Sequence, residues 1–195
     1  VGNNMRFIPP GIPSHAQEHR PAGAMIYSAL SSGHAWRLTA GIVRLDSVTP
    51  DGLTTFASLA IAGDILGCET LLFGCYTFRA TALTHCHMHP WPEGGNQADQ
   101  RALLTSLAKA QQRAADLVAL RGGQAADRVL GLMRLLADHA GRVILPTRQD
   151  IADITALRFE TISRIIKQFE RTQILLPLRI DGVHATRGYQ LASLA

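Results

Sequence analysis

The chain has 195 residues, 47% of them apolar and 17% charged, which is enough for one large domain or two small ones with real cores. No run of about 18 apolar residues occurs, which excludes a transmembrane helix, and residues 1–5 lack the basic and apolar regions of a secretory signal, so a cytoplasmic protein starting at Met5 is expected. The net charge of +4 is uneven: residues 1–120 balance 8 Lys+Arg against 8 Asp+Glu, whereas residues 121–195 carry 11 against 7, a modest basic excess of the kind phosphate contact needs.

Residues 1–24 are rich in Pro, Gly and His without a clear period and read as a lead-in with little regular structure. From Met25 short apolar runs alternate with Gly, Asp and Pro turns. Thr49-Pro50-Asp51-Gly52 is a turn signal, because Pro presets φ and Gly accepts positive φ. Residues 53–61 read as the returning strand, Ala62-Gly63-Asp64 as another turn, and 76–88 as a further strand that Pro90 ends at His89. Short strands spaced by turns predict an antiparallel roll or barrel. Cys68, Cys75 and Cys86 are too few and too irregular for a disulfide framework and read as reduced thiols.

Residues 97–120 read as a long helix. Leu103, Leu107, Ala110, Ala114 and Leu117 step by fours and threes, a heptad seam that packs either against its own chain or against a second copy. Gly122 and Gly123 break the helix, since each costs about 1 kcal/mol inside one; they mark a domain boundary and a hinge. A helix over 124–139 follows, with Val129, Leu132, Met133 and Leu136 apolar and Gly141 ending it.

Residues 145–176 read as two short helices around a tight turn at 155–157. Thr147 can cap the first, with Asp150 at capping-box spacing and Ile151 and Ile154 as its apolar stripe. In the second, Ile162, Ile165, Ile166 and Phe169 fall on one face and Glu160, Ser163, Arg164 and Lys167 on the other. A helix with one dry face and one face of hydrogen-bonding side chains can lie in a DNA major groove, although a plain amphipathic pair with a solvated face has the same period. Residues 175–180 and 188–191 flank Asp181-Gly182 as a hairpin that offers Arg179 and Arg187 for phosphates.

Glu-Thr-Ile-Ser-Arg at 160–164, after Thr-Arg-Gln-Asp-Ile-Ala at 147–152, closely resembles the winged helix-turn-helix of the CRP/FNR family of transcription regulators, without a gap through Arg171. Gly41, the Pro-Asp-Gly turn and Ala62-Gly63-Asp64-Ile65-Leu66-Gly67 resemble the family's sensor roll in the same order. The resemblance implies an α+β chain: an N-terminal antiparallel β-roll of the cyclic-nucleotide-binding-like type (1–96), a long dimerisation helix (97–121) and a C-terminal winged helix-turn-helix (122–195). It further implies a non-enzymatic homodimer that binds double-stranded DNA and works with RNA polymerase. The phosphate contacts expected are Thr147, Arg148, Arg158, Thr161, Lys167, Arg179 and Arg187. Glu160, Ser163 and Arg164 are the expected base readers, and their match to the FNR branch implies a TTGAT-N4-ATCAA-like palindrome. Arg158 departs from the family, which often has Ser or Thr there as the helix cap.

The sensor half departs further. Aligned through Ala82-Leu83-Thr84, the arginine that holds a cyclic-nucleotide phosphate falls on Tyr76, and Arg79-Ala80-Thr81-Ala82 is a shifted imitation. Without that guanidinium the strongest charge-assisted bonds are lost, which speaks against cyclic AMP. No cysteine precedes Cys68, which speaks against an iron–sulfur cluster. His85, His87 and His89 recur at period 2 and would share a strand face, inviting haem; solvated histidines on a polar strand give the same pattern, and no metal site is assigned. The alternative overall reading is a haem- or small-molecule-binding sensor whose DNA-binding half is vestigial.

Overall fold

The structure, a computed structural model, describes residues 17–93, 97–184 and 187–192. The N-terminal part is a two-layer roll. One antiparallel sheet runs in the order β1 (Glu18–Arg20), β8 (Cys86–Trp91), β3 (Ala35–Ala40), β6 (Ile65–Leu66). The other runs β2 (Met25–Tyr27), β7 (Arg79–Ala82), β4 (Ile42–Val48), β5 (Thr54–Ile61). A one-turn helix, α1 (Thr70–Phe73), links β6 to β7. Alternation places Leu38, Val43, Ala80, Ala82, Cys86 and Met88 between the layers. Gly41 takes φ 97° where the chain passes from β3 to β4 and so from one sheet to the other; a Cβ there would lie 2.3 Å from the His85 carbonyl oxygen. The 49–52 turn closes the β4–β5 hairpin as expected, with Gly52 at φ 83°.

Three sequence expectations change here. The lead-in contains a strand, since β1 pairs with β8 from Glu18↔Met88 to Arg20↔Cys86; residues 1–16 of that stretch lie outside the described residues. The 76–88 strand is two strands, β7 and β8, which belong to different sheets. Pro90 does not end β8, which pairs with β3 through Pro90 and Trp91. Among the described residues β1 begins at Glu18, opposite Met88, so none of its described residues pairs with Pro90, and a proline is tolerated where no ladder hydrogen bond is asked of its nitrogen.

The long helix α2 (Gln97–Ala119) lies along the roll. Its inward residues are polar as well as apolar: Ser106 accepts from Ile65 N at 2.8 Å, and Arg113 pairs with Asp64 at 2.6 Å, both side chains 4% exposed. Arg113 also donates to the Leu59 carbonyl at 2.9 Å, so this buried charge is satisfied on several sides. Gly123, at φ 76°, lies between α2 and α3 (Ala125–Leu136), and Arg128 of α3 donates back to the carbonyls of Gly122 and Gly123. α3 ends at Leu136 rather than running to residue 139. Ala137 is already extended, and the Asp138 carboxylate takes the backbone N–H groups of Ala140 and Arg142 into a turn that enters β9 (Arg142–Ile144).

Then come α4 (Arg148–Thr155), α5 (Phe159–Arg171), β10 (Leu175–Pro177) and β11 (Gly188–Leu191). The last two strands join β9 in a three-stranded sheet of order β10-β11-β9. Val129, Leu132, Met133, Ile151, Ile154, Ile162, Ile166, Phe169 and Leu175 form the core beneath it. That core does not stop at the hinge: Ile42, Leu59 and Leu83 of the roll belong to it.

Candidate nucleic-acid interface

α4 and α5 are built as their residues dictate. Thr147 caps α4 in a full capping box: its hydroxyl accepts from Asp150 N at 3.1 Å, and the Asp150 carboxylate accepts from Thr147 N at 3.2 Å. The turn between the helices is made by Ala156 at φ 53°, and its N–H bonds to the Ala152 carbonyl. α5 buries Ile162, Ile165, Ile166 and Phe169, each worth roughly 1.5–3 kcal/mol of transfer energy. The opposite face carries Glu160, Arg164 and Lys167, all exposed, with Ser163 and Thr161 half-buried at its margin.

The first turn of α5 is open. Its N-cap is Arg158, whose side chain makes no cap bond and is exposed. The N-terminal N–H groups therefore keep their donors and their partial positive charge for an incoming anion, beside a guanidinium. A shallow concavity of about 500 Å³ along the same helix is lined by Arg164, Lys167, Glu170 and Arg171.

The remaining expected phosphate ligands divide. Arg179 is exposed next to the 181–184 turn of the wing. Arg148 is half-buried at the start of α4, beside the Tyr189 phenol. Tyr189 itself is 2% exposed and donates to Glu170 Oε1 at 2.6 Å; burial and that carboxylate push its phenol up to about 12. Thr147 spends its hydroxyl on the capping box. Arg187 is a correction: it turns inward, donating to the Leu145 carbonyl at 2.6 Å and the Leu83 carbonyl at 3.1 Å, because the wing packs against the roll there.

Sequence reasoning missed Phe159. It sits in the first turn of α5 and is 49% exposed. Its spacing to Ile162 and Ile166 reads as core, yet the ring is left half outside while those two isoleucines are buried.

The proposed seam on α2 is divided too. Leu117 is buried against its own chain and Leu103 and Ala110 are half-buried, while Leu107 and Ala114 are exposed. The outward stripe is Leu104, Leu107, Gln111, Ala114 and Val118, with Leu104 68% and Val118 72% exposed. It lies one position out of phase with the inward residues.

In the roll, the three histidines of the 85–89 stretch do not all lie on one strand face. His85 is exposed ahead of β8, and His87 and His89 lie on the face opposite Cys86 and Met88. His87 meets the His19 ring at 4.4 Å. No three metal-ligating side chains converge among the described residues. Tyr76 occupies the interior instead. Its ring stacks on Tyr27 at 3.8 Å and its hydroxyl donates to the His34 carbonyl at 2.7 Å. A Cβ on Gly33 would lie 2.2 Å from that hydroxyl, and one on Gly67 2.5 Å from the ring, so both glycines are cut back to admit it.

Comparison with known proteins decides the family. No family model matches the chain. The nitrogen fixation regulation protein FixK of Bradyrhizobium diazoefficiens is 31% identical over 171 residues, 74% of this chain and 71% of FixK. The chain belongs to the CRP/FNR family of transcription regulators. The transcriptional regulator LdrP of Thermus thermophilus is 25% identical, over 72% of this chain and 76% of LdrP. Two solved structures share the fold over 90% of this chain. The CRP-family regulator TTHB099 of Thermus thermophilus has a TM-score of 0.70 at 22% identity, with 92% of that chain covered. FixK2 of Bradyrhizobium japonicum has 0.64 at 24% identity, with 91% covered. As a family member the chain is a DNA-binding regulator of transcription, with the α+β roll and winged-helix architecture that its sequence implied.

Proposed function

We propose that the chain acts as a cytoplasmic homodimer that places α5 of each copy in the major groove of a two-fold DNA site. The supporting observation is the outward face of α5: Glu160, Ser163, Arg164 and Lys167 on one side of a helix whose other side is fully buried. Arg164 donates two bonds to guanine O6 and N7, and Glu160 accepts from cytosine N4. Phe159 adds apolar contact with a thymine methyl group. Arg158, Arg179, Arg148 and Lys167 hold phosphates, and these fix register without reading sequence. The match of Glu160, Ser163 and Arg164 to the FNR branch of the family implies a TTGAT half-site, in inverted repeat. The second copy meets the outward stripe of α2, Leu104 to Val118, which steps in threes and fours as a helix seam does. RNA polymerase is the further partner through which the bound dimer acts.

Binding-site selection from random duplex DNA tests this reading. Enrichment of a TTGAT-containing palindrome is expected; enrichment of an unrelated motif overturns the assignment of the base readers.

A further inference from the structure

Two arginines tie the winged unit to the roll, and one of them, Arg44, does so through ion pairs. Arg44, in the middle of β4, has a side chain 14% exposed and spends its guanidinium on three carboxylates. Nε donates to Asp46 at 2.7 Å on its own strand, while one terminal nitrogen donates to Asp150 at 3.0 Å and Asp153 at 2.8 Å on α4. The guanidinium also lies 5.7 Å from the centre of the Phe56 ring, and Arg121, beside the Gly122–Gly123 hinge, lies 6.0 Å from the same ring. On the far side of the contact, Arg187 reaches from the wing to the Leu83 carbonyl. Between the two ties lie Ile42, Leu59 and Leu83, buried in the winged unit's core.

From these contacts we infer that Arg44, a residue of the roll, is a positioning residue for DNA reading: it fixes the angle at which α4 and α5 leave the roll. The acidic side chains of a surface helix normally face water. Here Asp150 and Asp153 reach Arg44 on the roll, and any rotation of the winged unit about the hinge breaks both cross-unit ion pairs, leaving the half-buried guanidinium with Asp46 alone. Resting on the two-fold reading proposed above, the orientation of each winged unit against its own roll then sets the distance between the two α5 helices, and so the half-site spacing that the dimer accepts. Arg44 touches no base in this scheme; it acts through α4.

The test uses the full chain and three duplexes carrying the inverted repeat with its own spacer, one base pair fewer and one more, together with a half-site duplex. Wild type should prefer one spacing by about tenfold or more. Arg44→Gln should level the three affinities to within about threefold while keeping half-site affinity. Asp153→Asn, at a carboxylate one-third exposed and outside the capping box, should act in the same direction without risk to the fold. The double variant should be no worse than Arg44→Gln alone, since both remove one interaction. Both variants keeping the wild-type spacing preference would overturn the inference. Wild type showing no spacing preference, or sedimenting as a monomer, would instead overturn the two-fold reading and this inference with it.

Discussion

At the scale of single residues, the outward face of α5 offers two kinds of side chain to the proposed DNA site. Arg164 can satisfy guanine with two directed bonds, whereas the ammonium of Lys167 is a point charge suited to phosphate. Arg164→Ala should cost about 1–3 kcal/mol on the palindrome and flatten discrimination at the guanine. Lys167→Ala should weaken specific and random duplexes alike and lower the slope of affinity against salt by about one. Fluorescence anisotropy over a salt series measures both; equal losses for Arg164→Ala on specific and random DNA would remove it from base reading. These residues were legible in the sequence because a helix with a fully apolar face leaves no choice about which side is outside. Arg187 and Phe159 were not legible. Whether a wing arginine turns inward depends on a carbonyl 104 residues away, and whether a first-turn phenylalanine is covered depends on where the helix end lies against the body.

At the scale of elements, the two helices of the helix-turn-helix, α4 and α5, start in opposite ways. α4 has a complete capping box and α5 has none, so its first N–H groups stay available. Arg158→Ser supplies the missing oxygen, which should stabilise α5 by roughly 0.5–2 kcal/mol. It should also weaken DNA binding, because the cap takes a donor and the guanidinium is gone. Thermal melting and anisotropy read the two effects separately; stability and affinity rising together would deny the open end a phosphate role. The other long helix makes the converse point. The sequence pattern of α2 gave a seam that mixes inward Leu117 with outward Leu107, because an Ala-rich helix offers apolar residues at almost every phase. The polar residues Ser106 and Arg113 settle which side faces the roll, and only burial shows that. Leu107→Asp, at a position 49% exposed in one copy, should leave monomer helicity unchanged and abolish dimers, since the carboxylate would be buried without a partner. Sedimentation velocity showing intact dimers would move the interface elsewhere. In the roll, turn chemistry was readable at 49–52 and 62–64, whereas the division of 76–88 into two strands depends on which sheet each half joins, a long-range choice.

At the scale of the whole molecule, the roll and the winged unit share a core. The glycine pair reads as a boundary in sequence, and the chain does bend there, yet Ile42, Leu59 and Leu83 pack among side chains of the winged unit, and Arg44 joins strand to helix across 106 and 109 residues. Such separations leave no local trace, so the docking could not be read from periodicity or spacing. Its consequence is thermodynamic. Two domains joined by a bare linker melt separately, whereas two that share buried side chains lose both cores together. The two tryptophans, Trp36 and Trp91, both lie in the roll, Trp91 packed beside Ala102 and Leu103 of α2, so their emission reports the roll and the start of α2, while ellipticity at the helical band is dominated by α2 to α5. In urea the two signals should therefore trace one coincident transition. Leu83→Ala removes a side chain, 5% exposed, from the shared region and leaves the centres of both halves intact. It should cost about 2–5 kcal/mol if the contact holds at full strength, and it should pull the two transitions apart as the coupling weakens. Separate transitions in the wild type would mean that the halves fold independently. Coincident transitions that Leu83→Ala shifts without splitting would place the coupling in the Arg44 cluster instead, where Arg44→Gln should then split them.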